Sequence, residues 1–251
     1  MGRIRAILPA LLVAGLLLPA TALAADAGPA LTVSFSDGGD NQTVATSMKI
    51  LVLMTVLSLA PSLFISLTSF VRIIVVMHFL RQAMGTQTMP PNQIMAGMAM
   101  FMTFFIMQPA FTQIYEEAFV PFTKEEIGLS DFYTKSITPL RTFMLNQTRE
   151  KDLSLFVEMS GMAPPETADD LPITTVIPAF LISEMRTAFT IGFLIYLPFL
   201  VLDMVIASVL MSMGMMMLPP VMISLPFKIM LFVLVDGWYL IVGSMMRSFA
   251  V

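Results

Sequence analysis

Two long apolar blocks meet at the sequence Met211-Ser-Met-Gly-Met-Met-Met-Leu-Pro-Pro220. Gly214 permits backbone conformations that other residues avoid, and a proline pair cannot continue a helix, so the sequence predicts a break between two helices. Inside an apolar region such a break is stable only where protein or a water-filled cavity satisfies the freed backbone groups. Methionine is unbranched and flexible, and it can close around partners of irregular shape. The stretch therefore predicts either a simple turn between membrane helices or a soft apolar constriction.

Bulk composition defines the class of protein. Hydrophobic residues make up 57% of the 251-residue chain and charged residues only 12%. The mean hydropathy of +0.86 is well above that of ordinary soluble domains. We therefore predict an all-α membrane protein with several membrane-spanning helices.

Neither a cofactor nor a nucleic acid is expected as a partner. The chain has no cysteine, which excludes disulfides, thiol catalysis and cysteine-ligated metal centres. The single histidine, His78, is insufficient for a histidine-based metal site. There is no glycine-rich phosphate-binding motif, and a net charge of −4 offers no electrostatic footprint for nucleic acid. We predict no cofactor, no metal and no catalytic residue.

The N-terminus has the features of a cleavable signal peptide. A short basic region precedes an apolar core at residues 7–18, and Ala22-Leu-Ala24 supplies the small residues of a cleavage site. We predict cleavage after Ala24, so that residues 1–24 form the signal peptide. The polar residues 25–43 then form a short lead on the outer side of the membrane. An uncleaved anchor helix is the alternative.

The rest of the chain is organised around four apolar blocks. They lie at about residues 44–80, 93–120, 173–213 and 221–246. The first and third are close to twice the about 20 residues that a membrane crossing needs. Prolines lie inside the first block at Pro61, the second at Pro109 and the third at Pro178 and Pro198. We predict long helices, kinked or broken at these prolines and packed as two hairpins. The hairpins comprise residues 44–112 and 173–251.

A polar insert at residues 113–172 separates the two hairpins. It holds eleven acidic and five basic residues, and apolar residues recur at helical spacing around Phe143 and again around Phe156. We predict a small helical subdomain, too short for an independent core of much stability. With a signal peptide and four crossings, the insert and the C-terminus face the periplasm, and the first block ends at the cytoplasmic side.

Charged side chains inside the apolar blocks are costly and need partners. They are Arg72, Glu184, Arg186, Asp203, Lys228 and Asp236. Asp203 lies fourteen residues before Met217 and Lys228 eleven after it. The two distances from the turn differ by about three residues, which at 1.5 Å per residue is about 4.5 Å along a hairpin. Asp203 and Lys228 are therefore predicted to pair. We interpret the whole set as structural ion pairs, with a proton relay as the alternative.

Other side chains are candidates for more specific roles. Phe104, Phe105 and Gln108 could form a constriction, because Gln108 and Pro109 are expected to break their helix; core packing is the alternative. Ser224 and Lys228 have the i, i+4 spacing of a Ser/Lys nucleophile, but Pro226 is expected to disturb the helix between them. Asp203 and Asp236 lack the context of an aspartyl protease.

Several stretches together resemble one family. These stretches are Thr68-Ser-Phe-Val-Arg72, Met89-Pro-Pro-Asn-Gln93, Pro178-Ala-Phe-Leu-Ile-Ser-Glu184, the Met215-Met-Met-Leu-Pro-Pro220 turn and Ser224-Leu-Pro-Phe-Lys228, the last leading into Asp236-Gly-Trp238. The chain is similar, from about Val44 to its C-terminus, to the FliP family of the flagellar type III export gate, whose injectisome counterpart is the SctR family. The flagellar branch is favoured.

The resemblance implies a function as well as a fold. In this family about five copies assemble with one FliR chain into a helical oligomeric gate, with FliQ hairpins outside, in the inner membrane at the flagellar basal body. Unfolded flagellar proteins cross the membrane through its pore, with energy coupling assigned to other membrane proteins of the export apparatus. The family's methionine gasket corresponds to Met215, Met216 and Met217, and a plug lies nearby.

Two other functions stay open on the sequence alone. A secondary transporter would place broken helices around a small substrate and would show internal symmetry and uptake by this chain alone. A pure assembly scaffold would have no pore of its own. Imaging the isolated complex would separate these two from a gate.

Overall fold

A computed structural model describes residues 41–162, 167, 170–215 and 218–249, with side chains described from residue 46 onward. The predicted signal peptide (1–24) and most of the predicted polar lead (25–43) lie outside these residues. The chain divides into two compact units at Ser58 and Leu59. The first unit contains the beginning of helix α1, whose apolar side chains are exposed. All other elements belong to the second unit.

The described residues form helices and contain no strand, so the all-α prediction is confirmed. The helices are α1 (Asn41–Leu67), α2 (Phe70–Ala83), α3 (Asn92–Ile114), α4 (Val120–Thr123), α5 (Leu129–Gln147), α6 (Glu150–Ser160), α7 (Ile173–Ser212), α8 (Pro220–Leu234) and α9 (Gly237–Phe249), with a π-helical turn at Tyr115–Phe119 between α3 and α4.

Prolines do not break these helices: of the two effects expected from the sequence, a kink or a break, the break is absent from the described residues. Pro61, Pro109, Pro178, Pro198 and Pro226 all lie inside continuous α-helices. A proline removes one backbone donor and disturbs one turn, and a long helix continues on both sides of that turn.

The first apolar block is interrupted elsewhere, at Thr68 and Ser69, between α1 and α2. Both residues are buried, and the Thr68 hydroxyl donates to the carbonyl oxygen of Phe64 at 2.7 Å. A side chain that occupies a helix carbonyl in this way offers the backbone an alternative to continuing the helix.

Helix α2 is the centre of the main core. Its buried residues recur at helical spacing and form one stripe: Arg72, Ile73, Val76, Met77, Leu80 and Ala83. This stripe packs most extensively on α7 and next on α3. Gly192 of α7 permits the approach, because a Cβ at that position would lie only 2.8 Å from the Cβ of Phe79. Helix α2 therefore fixes where the first half of α7 lies.

The polar insert shares its core with α7. Met144 of α5 is fully buried together with Leu171, Val176 and Phe180, and Leu153 and Val157 of α6 pack around this cluster. The helical spacing in the insert is thus explained by packing onto α7. The insert has helices of its own, but its buried apolar surface is completed by residues of α7.

Three stretches among the described residues are long and apolar enough to cross a membrane. They are Thr46–Leu67, Asn92–Thr123 and Ile173–Ser212. Helices α8 and α9 meet the same criterion only as a pair, and they are bent by 64° relative to each other. Asp236 lies at this bend with a positive φ of 52°, which is unusual for a residue other than glycine. The fourth apolar block is therefore two helices and not one.

Candidate functional site

The methionine turn (residues 211–220) is fixed by backbone geometry at both ends. Gly214 adopts a left-handed conformation with φ of 76°. The amide of Gly214 donates to the Met211 carbonyl and that of Met215 to the Leu210 carbonyl, each at 3.0 Å. This is a Schellman cap, which ends a helix at a glycine. On the other side, Pro219 and Pro220 occupy the N-cap and first positions of α8. Backbone amides at these positions have no partner within the helix, so proline's lack of an N–H group costs nothing there.

Met215 is the member of the predicted gasket that the structure describes, and its side chain is 40% exposed. Met216 and Met217 lie outside the described residues. Around the turn, α7 and α8 present further exposed apolar side chains, among them Met213, Leu218 and Met222. An apolar turn of this exposure in a single chain is suited to contact with other protein or with lipid.

A polar cluster joins α7 to α8 below the methionine turn. The Lys228 Nζ atom lies 2.6 Å from Asp203 Oδ2, and the Ser224 hydroxyl donates to Asp203 Oδ1 at 2.5 Å. Lys228 is 2% exposed, whereas the Asp203 side chain is 26% exposed. A Cβ at Gly85 would lie 3.9 Å from Nζ, so the α2–α3 turn covers the ammonium group. One carboxylate thus holds both α8 side chains against α7.

This geometry predicts that replacing Asp203 lowers the folding stability more than replacing Lys228 does. Asp203→Asn leaves the buried ammonium of Lys228 without a counter-charge, which costs about 3–5 kcal/mol of folding free energy. Lys228→Met leaves a carboxylate that is partly exposed and still bonded to Ser224, so we expect a smaller loss, about 1–3 kcal/mol. Unfolding of the purified chain in detergent measures both. Asp131→Asn, an exposed carboxylate in α5, is the matched control, and equal stability of Asp203→Asn and Asp131→Asn would contradict the prediction.

A second cluster surrounds Arg72 and connects four helices. Its Nε atom donates to Glu184 Oε2 at 2.8 Å, and its Nη2 atom donates to Glu184 Oε1 and, at 3.0 Å, to Gln147 Oε1. Its Nη1 atom donates to the Ser248 carbonyl at 3.3 Å and the Ser248 hydroxyl at 3.2 Å. The guanidinium also lies 3.7 Å from the centre of the Phe249 ring. The Arg72 cluster therefore ties α2, α5, α7 and α9 together.

The residue preceding Glu184 anchors the insert. The Ser183 hydroxyl donates to Asp152 Oδ2 at 2.6 Å and accepts the Arg149 amide at 3.1 Å. Arg149 also pairs with Asp152 at 2.8 Å. Two neighbouring positions of α7 thus bind different partners, α6 through Ser183 and α2 through Glu184.

The other predicted site residues are placed differently. Arg186 and Asp236 are exposed, and neither forms an ion pair with a residue that the structure describes. Phe104, Phe105 and Gln108 are exposed on α3, which continues through Pro109, so the expected helix break at Gln108 is absent. The Phe104 ring lies 5.8 Å from Phe64 and 6.2 Å from Phe111.

Sequence reasoning missed several of the polar partners. Gln147, Ser183 and Ser248 carried no local signal, because a neutral polar residue does not require a charged partner. Asp152 and Arg149 were counted only as charges of the insert. One signal was available: a charge within an apolar block requires a partner, but nothing in the sequence indicates that Glu184 is the partner of Arg72.

The positions of Ser224 and Lys228 bear on the possibility that they act as a nucleophile and its base. The Ser224 hydroxyl is fully buried and donates to Asp203, and Lys228 pairs with the same carboxylate. Pro226 does not interrupt α8, so the bond to Asp203, and not a helix break, argues against this pair. No group of three or more metal-ligating side chains occurs within the described residues.

Comparison with known proteins identifies relatives over most of the chain. A model of the FliP family matches residues 53–245. The flagellar biosynthetic protein FliP of Bacillus subtilis (strain 168) is 54% identical over 217 residues, which cover 86% of this chain and 98% of that protein. The FliP of Pectobacterium carotovorum is 46% identical over 235 residues, covering 94% of this chain and 90% of the relative. The FliP of Buchnera aphidicola (strain APS) is 48% identical over 221 residues, covering 88% of this chain but 58% of that longer relative.

Proposed function

Because the chain belongs to the FliP family, as its sequence motifs predicted, we propose that it is a core component of the flagellar type III export gate. In this proposal about five copies assemble with FliQ and FliR in the bacterial inner membrane, at the flagellar basal body. Unfolded flagellar proteins pass through the pore of the assembly. The insert and the C-terminus face the periplasm, and other membrane proteins of the export apparatus supply the energy coupling.

The methionine turn is the observation that carries this proposal. A Schellman cap at Gly214 and two prolines at 219 and 220 define both ends of the turn, so the helix end and the helix start on either side of the methionines are fixed. Repeated around an axis, such turns would present Met215, Met216 and Met217 of each copy as a gasket. Apolar closure excludes water and ions from a narrow pore. Methionine side chains then change rotamer readily when a polypeptide enters.

The two polar clusters hold in place the helices that carry the methionine turn. The Asp203 cluster joins α7 and α8 next to the turn, and the Arg72 cluster holds the first half of α7 to three other helices. Rigid supports are useful to a constriction, because a seal requires the same side chains to meet each time. We therefore assign these charges a structural role and not one in proton transfer.

Isolation and imaging of the complex test the proposal against its alternatives. A hollow ring of several copies, recovered together with FliQ and FliR, is the expected result. A self-contained monomer with saturable uptake of a small molecule would favour a secondary transporter. A multi-copy assembly without a central channel would favour a scaffold.

A further inference from the structure

A recess of about 450 Å³ lies where the α2–α3 turn meets the start of α8. We name it the basic recess. Its lining consists of His78, Arg81, Gln82, Gly85, Thr86, Gln87 and Val221. The lining includes cationic and amide side chains but no carboxylate of a described residue. In small-ligand sites a few convergent polar groups fix the orientation of the ligand.

Arg81 is the charged group of the recess, and its partners are neutral. Nη1 donates to Asn92 Oδ1 at 2.6 Å and to the Pro90 carbonyl at 3.4 Å. Nη2 lies 3.2 Å from His78 Nδ1. No carboxylate within the described part of the chain forms an ion pair with Arg81. Its contacts orient the guanidinium but leave its positive charge uncompensated.

The remaining polar groups favour an anion as well. An arginine can only donate, so His78 accepts at Nδ1 and, when neutral, carries its proton on Nε2 as a further donor. The side chains of Gln82 and Gln87 are exposed and bond to no described residue, so their amide groups remain available as donors.

Carbonyl groups at the end of α2 would repel an anion, but several of them are already bonded. The Met84 amide donates to Leu80, the Gly85 amide donates to Gln82, and the Thr86 hydroxyl donates to the Arg81 carbonyl. The negative end of the α2 dipole is thereby partly satisfied. The donors of the recess are then the dominant groups that a ligand would meet.

We propose that the basic recess binds a phosphate-bearing anion. Arginine matches the geometry of phosphate oxygens better than a point charge does. The candidate membrane span of α3 begins at Asn92, the residue that holds Arg81, so the recess lies where phospholipid headgroups are expected. Basic pockets at the ends of membrane helices bind such headgroups. The same donors also fit a soluble phosphate, and the two sources are separable by experiment.

The test uses the full-length chain and two ligands. In the first arm, mass spectrometry of the native protein, released from micelles of equal phosphatidylglycerol and phosphatidylcholine, measures which lipid stays bound. In the second arm, inorganic phosphate is titrated calorimetrically into the protein in phosphatidylcholine nanodiscs. Gln82→Glu places a carboxylate in the recess without breaking a hydrogen bond between described residues, and Gln93→Glu places the same charge on α3 outside the lining.

Selective retention of phosphatidylglycerol, reduced about tenfold by Gln82→Glu and by Arg81→Gln but not by Gln93→Glu, identifies the anionic headgroup of a phospholipid as the ligand. A tenfold change corresponds to the loss of one charge-assisted hydrogen bond. Binding of inorganic phosphate with the same response to the variants identifies a soluble anion. The proposal is overturned if the protein neither retains phosphatidylglycerol selectively nor binds inorganic phosphate. It is also overturned if Gln82→Glu and Gln93→Glu change the binding equally. Since Gln82→Glu removes no contact, misfolding of Arg81→Gln would not obscure the result.

Discussion

Replacing Met215, Met216 and Met217 together by alanine is expected to make the membrane leaky to small ions while leaving the complex assembled. Each Met→Ala change removes about 2 kcal/mol or more of apolar contact in a closed structure. Repeated over several copies, this loss shifts the closed–open equilibrium by more than about tenfold. Alanine is also too short to fill the space between neighbouring turns, so water can enter and carry ions.

Conductance of vesicles that contain the purified complex measures the leak, and recovery of FliQ and FliR with the variant measures assembly. A triple Met→Ala variant at Met100, Met159 and Met162 is the matched control, because these exposed methionines lie outside the methionine turn. Unchanged conductance in the gasket variant would contradict the seal. An equal leak in both variants would show that the loss of methionine, and not its position, is responsible.

Glu184→Ala is expected to cause a large loss of folding stability. The variant leaves the Arg72 guanidinium, only 2% exposed, with the neutral acceptors of Gln147 and Ser248 alone. Breaking a buried ion pair in this way costs about 3–5 kcal/mol, which is a large part of the about 5–15 kcal/mol that stabilises a typical domain. The ratio of folded to unfolded protein should fall by more than about a hundredfold.

Recovery of folded protein and its unfolding in detergent measure this loss. Arg186→Ala, two residues along α7 and exposed, serves as the control and should change stability by less than about 0.5 kcal/mol. The double variant Arg72→Met, Glu184→Leu removes both charges and should be more stable than Glu184→Ala, because no uncompensated charge remains. Equal stability of Glu184→Ala and Arg186→Ala would contradict a structural role for the Arg72 cluster.

Features set by neighbouring residues were accessible from the sequence. Gly214 and the prolines at 219 and 220 indicate the methionine turn through local backbone chemistry, and the structure has a helix end and a helix start at those residues. The contact between Asp203 and Lys228 follows from counting residues on either side of that turn. Both inferences require only one hairpin, whose two arms have a known rise per residue.

Features that depend on distant parts of the chain were not accessible. Arg72 and Glu184 are 112 residues apart, and periodicity does not indicate which helices pack together. Proline was overestimated as a break, because it removes one backbone donor and disturbs one turn, while the remaining hydrogen bonds of a long helix are kept on both sides. The bend at Asp236 had a signal in the sequence, because an Asp-Gly pair in an apolar block is typical of a turn. Asp236 was instead interpreted as a member of a structural ion pair.

In the proposed gate, the methionine turns of several copies meet on a common axis. The chain has no cysteine, so a single Met216→Cys variant places the only thiol of each copy at that turn, and one thiol can link at most two chains. Mild oxidation of membranes that contain the complex should convert most of this variant to disulfide-linked dimers. Val233→Cys, an exposed position on α8, should remain monomeric. A Met216→Cys variant that reacts fully with a maleimide and yet forms no dimer would contradict convergence of the turns.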